Sequence, residues 1–169
     1  MTDEVKVLRR RIVRSSRHDR REYERAAVME LLREAFGADV KLLHDTCGRP
    51  SVEGFPHFIS ISHSRDEVAV AVSQSVAVGI DVESWREALL YTAHKWLTPQ
   101  EMSHMHTPLD YLKAWTAKEA IFKAMPVQPS GLIDIPLPCL DGGRGYRVSW
   151  EGDLDGLLAV AIPDNVLVL

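Results

Sequence analysis

Val76-Ala77-Val78-Gly79-Ile80-Asp81-Val82-Glu83 opens as an apolar, β-branched run and closes on two carboxylates two residues apart. The run predicts a buried strand. On a strand, residues i and i+2 point to one face, roughly 7 Å apart along the chain. Asp81 and Glu83 therefore lean toward one place, while Val82 points the other way into packing. A strand that simply ends in solvent gives the same pattern, and Asp-x-Glu alone is short and common.

Further along stands Trp115-Thr116-Ala117-Lys118-Glu119-Ala120-Ile121-Phe122-Lys123. At about 100° per residue, Tyr111, Leu112, Trp115, Glu119 and Phe122 fall on one helical face. Glu119 then sits in the middle of an apolar stripe, with Lys123 its neighbour at i+4. An ordinary surface Glu–Lys pair would put Glu119 on the polar face, which the helical wheel does not. Ionised carboxylates are costly to bury without a cation, so two such placements point to a metal-binding site.

In these residues the chain resembles the 4′-phosphopantetheinyl transferases. That family is marked by a G-[IV]-D-x-E strand end and a later W-x-x-K-E-[AS]-x-x-K helix, and both patterns stand here without a gap. Ile59-Ser60-Ile61-Ser62-His63-Ser64 resembles the S-[IL]-S-H-[ST] segment of the Sfp-like branch. Cys47-Gly48-Arg49-Pro50 resembles its G-[KR]-P, and Trp96-Leu97-Thr98-Pro99-Gln100-Glu101 its F-[LF]-[ST]-x-x-E. The small trimeric branch, by contrast, carries its G-x-D near the chain start. Here nearly half the chain precedes it.

The resemblance implies a reaction. A serine hydroxyl of an apo acyl or peptidyl carrier protein attacks the β-phosphate of coenzyme A, and adenosine 3′,5′-bisphosphate leaves. Phosphoryl transfer of this kind needs positioning and charge neutralisation above all. By the family match, Asp81, Glu83 and Glu119 hold magnesium, with manganese as an alternative, and coenzyme A is the co-substrate. Lys123 meets the phosphates. Lys118 joins it among the residues that bind coenzyme A. Either Glu119 or a metal-held water takes the serine proton. His63 matches a histidine that contacts the 3′-phosphate, with Ser62 and Ser64 adding donors beside it. Arg49 would add a guanidinium suited to phosphate.

Plainer readings stand next to several of these. A lone histidine after an apolar run is often a satisfied strand-end residue, and Gly48-Arg49-Pro50 is also an ordinary turn. Thr98-Pro99-Gln100-Glu101 is a capping box, which by itself accounts for Glu101. Thr107-Pro108-Leu109-Asp110 repeats that logic for the next helix. A non-catalytic module that binds coenzyme A or a carrier protein is the alternative function. A metal-binding domain unrelated to coenzyme A is a third.

Composition bounds the rest. A chain of 169 residues, 46% hydrophobic, suffices for one domain built as two tightly fused lobes. No apolar run approaches the roughly 18 residues of a membrane span, and the N-terminus is charged rather than signal-like. Cys47 and Cys139 lack metal-ligand spacing and read as free thiols, which suits the cytoplasm. Net charge is -4, yet Lys6, Arg9, Arg10, Arg11, Arg14, Arg17, Arg20, Arg21 and Arg25 crowd the start. No nucleic-acid motif accompanies them. A surface for an acidic carrier protein is one reading, and a solvated strand and helix face is the other.

The expected order of elements is a strand over Val5–Val13, a helix over Arg20–Phe36 ended by Gly37, and a short strand at Lys41–His44. Next comes a three-stranded meander of His57–Ser62, Glu67–Ser73 and Val76–Val82. Helical segments at about 86–96, 99–105 and 108–124 follow, and then strands near 132–137, 145–150 and 156–162. The fold class is α+β, a helix packed on a small antiparallel sheet. The resemblance implies that this unit occurs twice, in lobes 1–78 and 79–169, with the site between them. The segment before Gly79 is shorter than in typical Sfp-like members: a complete two-lobed site predicts a monomer, and a shortened first lobe favours self-association as the alternative. Two departures from the family pattern concern the site. An arginine common in the family's first helix falls near Met29, and Pro126 ends the last helix where the family continues to a glycine.

Overall fold

The structure, a computed structural model, describes residues 5–12, 19–137 and 145–164. Cys139, Val13, Arg14 and Arg17 lie outside the described residues.

The first lobe contains β1 (Val5–Arg11), α1 (Arg20–Phe36), β2 (Leu42–His44), β3 (Pro50–Val52), β4 (Phe58–His63) and β5 (Glu67–Ser73). The sheet order is β1-β5-β4, all antiparallel. Gly37 ends α1 at φ +70, and its N–H donates to the Arg33 carbonyl. Only a residue without Cβ takes that left-handed cap cheaply. β5 is buried at all seven positions because both its faces are covered. Val68, Val70 and Val72 meet Val28, Leu31 and Leu32 of α1 on one side, and Ala69 and Ala71 meet the second lobe on the other. β2 and β3 form a separate hairpin, and β3 was not foreseen from the sequence. Asp45 Oδ1 shapes its turn by accepting from the N–H groups of Cys47 and Arg49.

The second lobe contains β6 (Gly79–Glu83), α2 (Ala88–Tyr91), α3 (Pro99–Met102), α4 (Pro108–Ala124), β7 (Tyr146–Asp153) and β8 (Gly156–Pro163). Its sheet order is β6-β8-β7, again antiparallel. Both capping boxes form: Thr98 with Glu101 on α3, and Thr107 with Asp110 on α4.

Three expectations need correction. β6 is not the third strand of a meander. It starts at Gly79, leaves the first sheet and pairs with β8, so that Asp81 faces Ala159. The segment at 86–96 is not one helix but α2 followed by a 3-10 turn at Ala93–Lys95, and 132–137 holds a 3-10 turn at Leu132–Asp134 instead of a strand. On α4 the buried positions are Leu112, Ala114, Thr116, Ala117, Lys118, Ala120, Ile121 and Ala124. Trp115, Glu119 and Phe122 form the half-buried face.

The alanines let α4 lie very close to β6. A Cβ built on Gly79 would stand 1.8 Å from the Ala120 carbonyl oxygen. Glycine at 79 is therefore a packing requirement, and it sets the depth at which α4 crosses the strand bearing Asp81.

Candidate active site

Ile80 and Val82 pack with Ala69, Ala71 and Leu158, so Asp81 and Glu83 point to the opposite face, toward α4. Asp81 is only 7% exposed. Its Oδ1 accepts from Ser62 Oγ at 2.9 Å and from Lys123 Nζ at 2.8 Å. Lys123 also donates to Ser62 Oγ at 3.2 Å and to the Ile80 carbonyl at 3.0 Å, which uses all three of its protons. Ser62 is equally saturated. It donates to Asp81 and accepts from Lys123 and from the Val82 N–H. Ser60 accepts the Ile80 N–H in the same manner, so two serines of β4 replace a backbone ladder to β6.

The sequence suggested that Lys123 would neighbour Glu119. Its ammonium goes to Asp81 instead and acts on Glu119 only through its charge. Burial first, and then the Asp81 and Glu83 carboxylates, raise the Glu119 carboxyl above the usual carboxylate range. Lys123 and Arg86 oppose that shift. Arg86, which the sequence reading missed, reaches back three residues to Glu83 at 3.1 Å and lies over the Trp115 ring at 5.8 Å. The i,i+3 spacing to Glu83 was the available signal.

Asp81, Glu83 and Glu119 thus share one electrostatic neighbourhood. They are hard oxygen donors of the type that magnesium prefers, and the repulsion felt at Glu119 is what a divalent cation relieves. The donor set fits such an ion in its chemistry. Among the described residues, no three His, Cys, Asp or Glu side chains stand gathered as a ready ligand cage. Instead, Lys123 balances Asp81 and Arg86 balances Glu83.

Lys118 is not brought to this group. Its side chain is 0% exposed, and its ammonium donates to Glu101 Oε2 at 2.8 Å and to the Leu132 carbonyl at 3.1 Å. Burial lowers the ammonium's pKa, and the Glu101 carboxylate opposes that. Glu101 has two roles: it caps α3 through the Thr98 N–H and neutralises Lys118. Arg49 crosses between lobes by donating to the Met125 carbonyl at the end of α4.

Two cavities flank the centre. One, of about 840 Å³, lies between α1 and the β2–β3 hairpin and is lined by Arg21, Glu24, Arg25, His44 and His63 among others. The other, of about 300 Å³, runs between the lobes past Arg49 and Lys123. Gly48, Pro50 and Ile61 line both, so the two adjoin. His63 belongs to the first cavity and Lys123 to the second. Much of the remaining basic cluster is consumed inside the lobe: Arg9 pairs with Glu67, Arg10 with Glu30, and Lys6 caps the Glu34 and Ala35 carbonyls.

Comparison with known families supports one of these readings in general terms. Residues 77–155 match the family model of the 4′-phosphopantetheinyl transferase superfamily. This span is just under half the chain and includes Asp81, Glu83, Glu101, Lys118, Glu119 and Lys123. Arg49, Ser62 and His63 precede it. No curated protein matches the chain. Phosphopantetheinyl transferases act on carrier proteins with coenzyme A, and a phosphopantetheine transferase of this general type is what the match supports. No helix among the described residues is long and apolar enough to cross a membrane.

Proposed function

We propose that this protein transfers the 4′-phosphopantetheine arm of coenzyme A to a serine of an apo carrier protein, with magnesium. The observation that carries the reading is the junction of Asp81, Ser62 and Lys123, where both lobes meet beside Glu83 and Glu119. The carrier serine Oγ forms a bond to the β-phosphorus, the bond to the bridging oxygen breaks, and adenosine 3′,5′-bisphosphate departs with the electron pair. Glu119, or a water beside it, takes the hydroxyl proton. Lys123 offers positive charge to the phosphates. Asp81, Glu83 and Glu119 would hold magnesium, which when bound neutralises the pyrophosphate charge.

The adjoining cavities suit a long donor with an anionic nucleotide end near His63, Arg21 and Arg25 and a reacting end near Lys123. Lys118 stabilises the fold on this reading and does not touch coenzyme A. We assign the protein to the Sfp-like branch, as two lobes of one strand-helix-strand-strand plan with the last strand central in each sheet. We further propose a cytoplasmic monomer whose partner is an acidic carrier protein.

Intact mass spectrometry of an apo carrier protein, incubated with this protein, coenzyme A and magnesium, tests the proposal. The expected result is a gain of one phosphopantetheine that chelator abolishes. The alternative is a non-catalytic module, favoured by the occupation of Asp81 by Lys123. It predicts coenzyme A binding without any gain in carrier mass.

A further inference from the structure

The larger cavity holds a charge that the proposed reaction does not use. Glu24, in the second turn of α1, is only 8% exposed, and Val28, Leu42 and Ile61 line the same cavity. A carboxylate buried beside apolar groups needs partners. Arg20 Nε donates to its Oε1 at 2.6 Å, and His63 Nδ1 stands 3.8 Å from its Oε2. Arg20 thus anchors the carboxylate from one helical turn back, and the other oxygen faces the half-exposed His63 ring at the end of β4. A ring whose Nδ1 turns to a carboxylate presents Nε2 to whatever binds beyond it. Around this pair stand Arg21 and Arg25 of α1 and His44 of β2. Arginine in that company suits a phosphate.

We propose that Glu24 is a positioning residue: it fixes the His63 imidazole so that Nε2 meets a phosphomonoester in this cavity, beside Arg21 and Arg25. The proposal rests on coenzyme A as the donor, whose phosphomonoester is on the nucleotide ribose. Glu24 then contributes to selection of coenzyme A over its 3′-dephospho form, without touching the ligand.

The test uses the full chain with Glu24→Gln, His63→Ala and the double variant. KM and kcat are measured by carrier mass shift for both donors, and affinities by calorimetry. Glu24→Gln should raise KM for coenzyme A about 5- to 10-fold, move kcat less than about twofold, and leave KM for the dephospho form unchanged. The double variant should be no worse than His63→Ala alone. Equal losses on both donors, a fall in kcat alone, no change with either donor, or additive effects would overturn the proposal. Should the protein bind both donors without transferring either, the calorimetric ratio of the two affinities carries the same test. Equal affinities in the unaltered protein refute the His63 assignment and leave the donor reading intact. Failure to bind either donor removes both.

Discussion

Replacing Lys118 with methionine removes a charge and leaves its partner behind. Glu101 is 6% exposed at its side chain, and its Oε2 accepts from Lys118 Nζ at 2.8 Å and from the Thr98 N–H at 2.9 Å. Its Oε1 accepts from the Leu137 N–H at 3.3 Å. After Lys118→Met the two N–H donors remain, but no countercharge does, and the Leu132 carbonyl also loses its donor. Breaking a buried pair on one side costs about 3–5 kcal/mol. For a chain of this size that corresponds to a fall of about 6–20 °C in Tm. Methionine fills most of the lysine volume, so a cavity adds little. The double variant Lys118→Met/Glu101→Gln keeps an acceptor for Thr98 and removes the stranded charge. It should return to within about 2 kcal/mol of the unaltered protein. Urea denaturation followed by tryptophan fluorescence reads both values, since Trp96 and Trp115 stack edge-to-face in the same core cluster. A single-variant cost below about 1 kcal/mol, or a double variant worse than the single, would refute the assignment of Lys118 as a structural charge.

Asp81→Asn and Lys123→Met should each lower transfer at least about 100-fold, and intact carrier mass measured beside an unchanged far-UV circular dichroism spectrum checks this. Full activity in both would remove the proposed site. Gly79→Ala forces a Cβ into the Ala120 carbonyl, so α4 must lift from β6; the expected loss is at least about 3 kcal/mol, or no soluble protein, read by urea denaturation. Burial works to raise the Asp110 carboxyl, but the His106 and Thr107 N–H groups and the Thr107 hydroxyl outweigh it, and its pKa falls below the usual 3.8. Its contribution is therefore present above pH 3.8 and lost as the pH falls through the lower folded value. Asp110→Asn should flatten that part of the urea midpoint against pH.

Short-range chemistry was legible in the sequence. Thr98, Thr107 and Gly37 announce their caps because each acts within four residues of itself. The two motif segments named Asp81, Glu83, Glu119 and Lys123 as candidates, and the structure brings Asp81 and Lys123 into contact. What failed was long-range. β6 pairs with β8, which lies more than seventy residues later, and local periodicity contains no term for that partner. A usable signal was nevertheless present: Ser60 and Ser62 alternate within an apolar strand and are 3% and 5% exposed. Buried hydroxyls at period two mark a face that must accept hydrogen bonds from something other than a ladder. Lys118 misled for a different reason. Its motif suggested a ligand contact, whereas its wheel position between Ala114, Ala117 and Ile121 is the buried side of α4.

The serine device has a consequence for how the site is built. Ser62 belongs to the first lobe, Asp81 and Lys123 to the second, and a single hydroxyl binds both of them and the Val82 N–H. Lys123 in turn has no proton left over, since Ser62, Ile80 and Asp81 take all three. No member of this group can be replaced without stranding a polar partner inside the junction, which is the costly outcome for buried groups. The joint between the two sheets and the centre of the candidate site are therefore the same atoms. That identity explains why the Asp81 carboxylate stays at 7% exposure without solvent to screen it: the packing of the two lobes supplies the hydroxyl and the ammonium that water otherwise would.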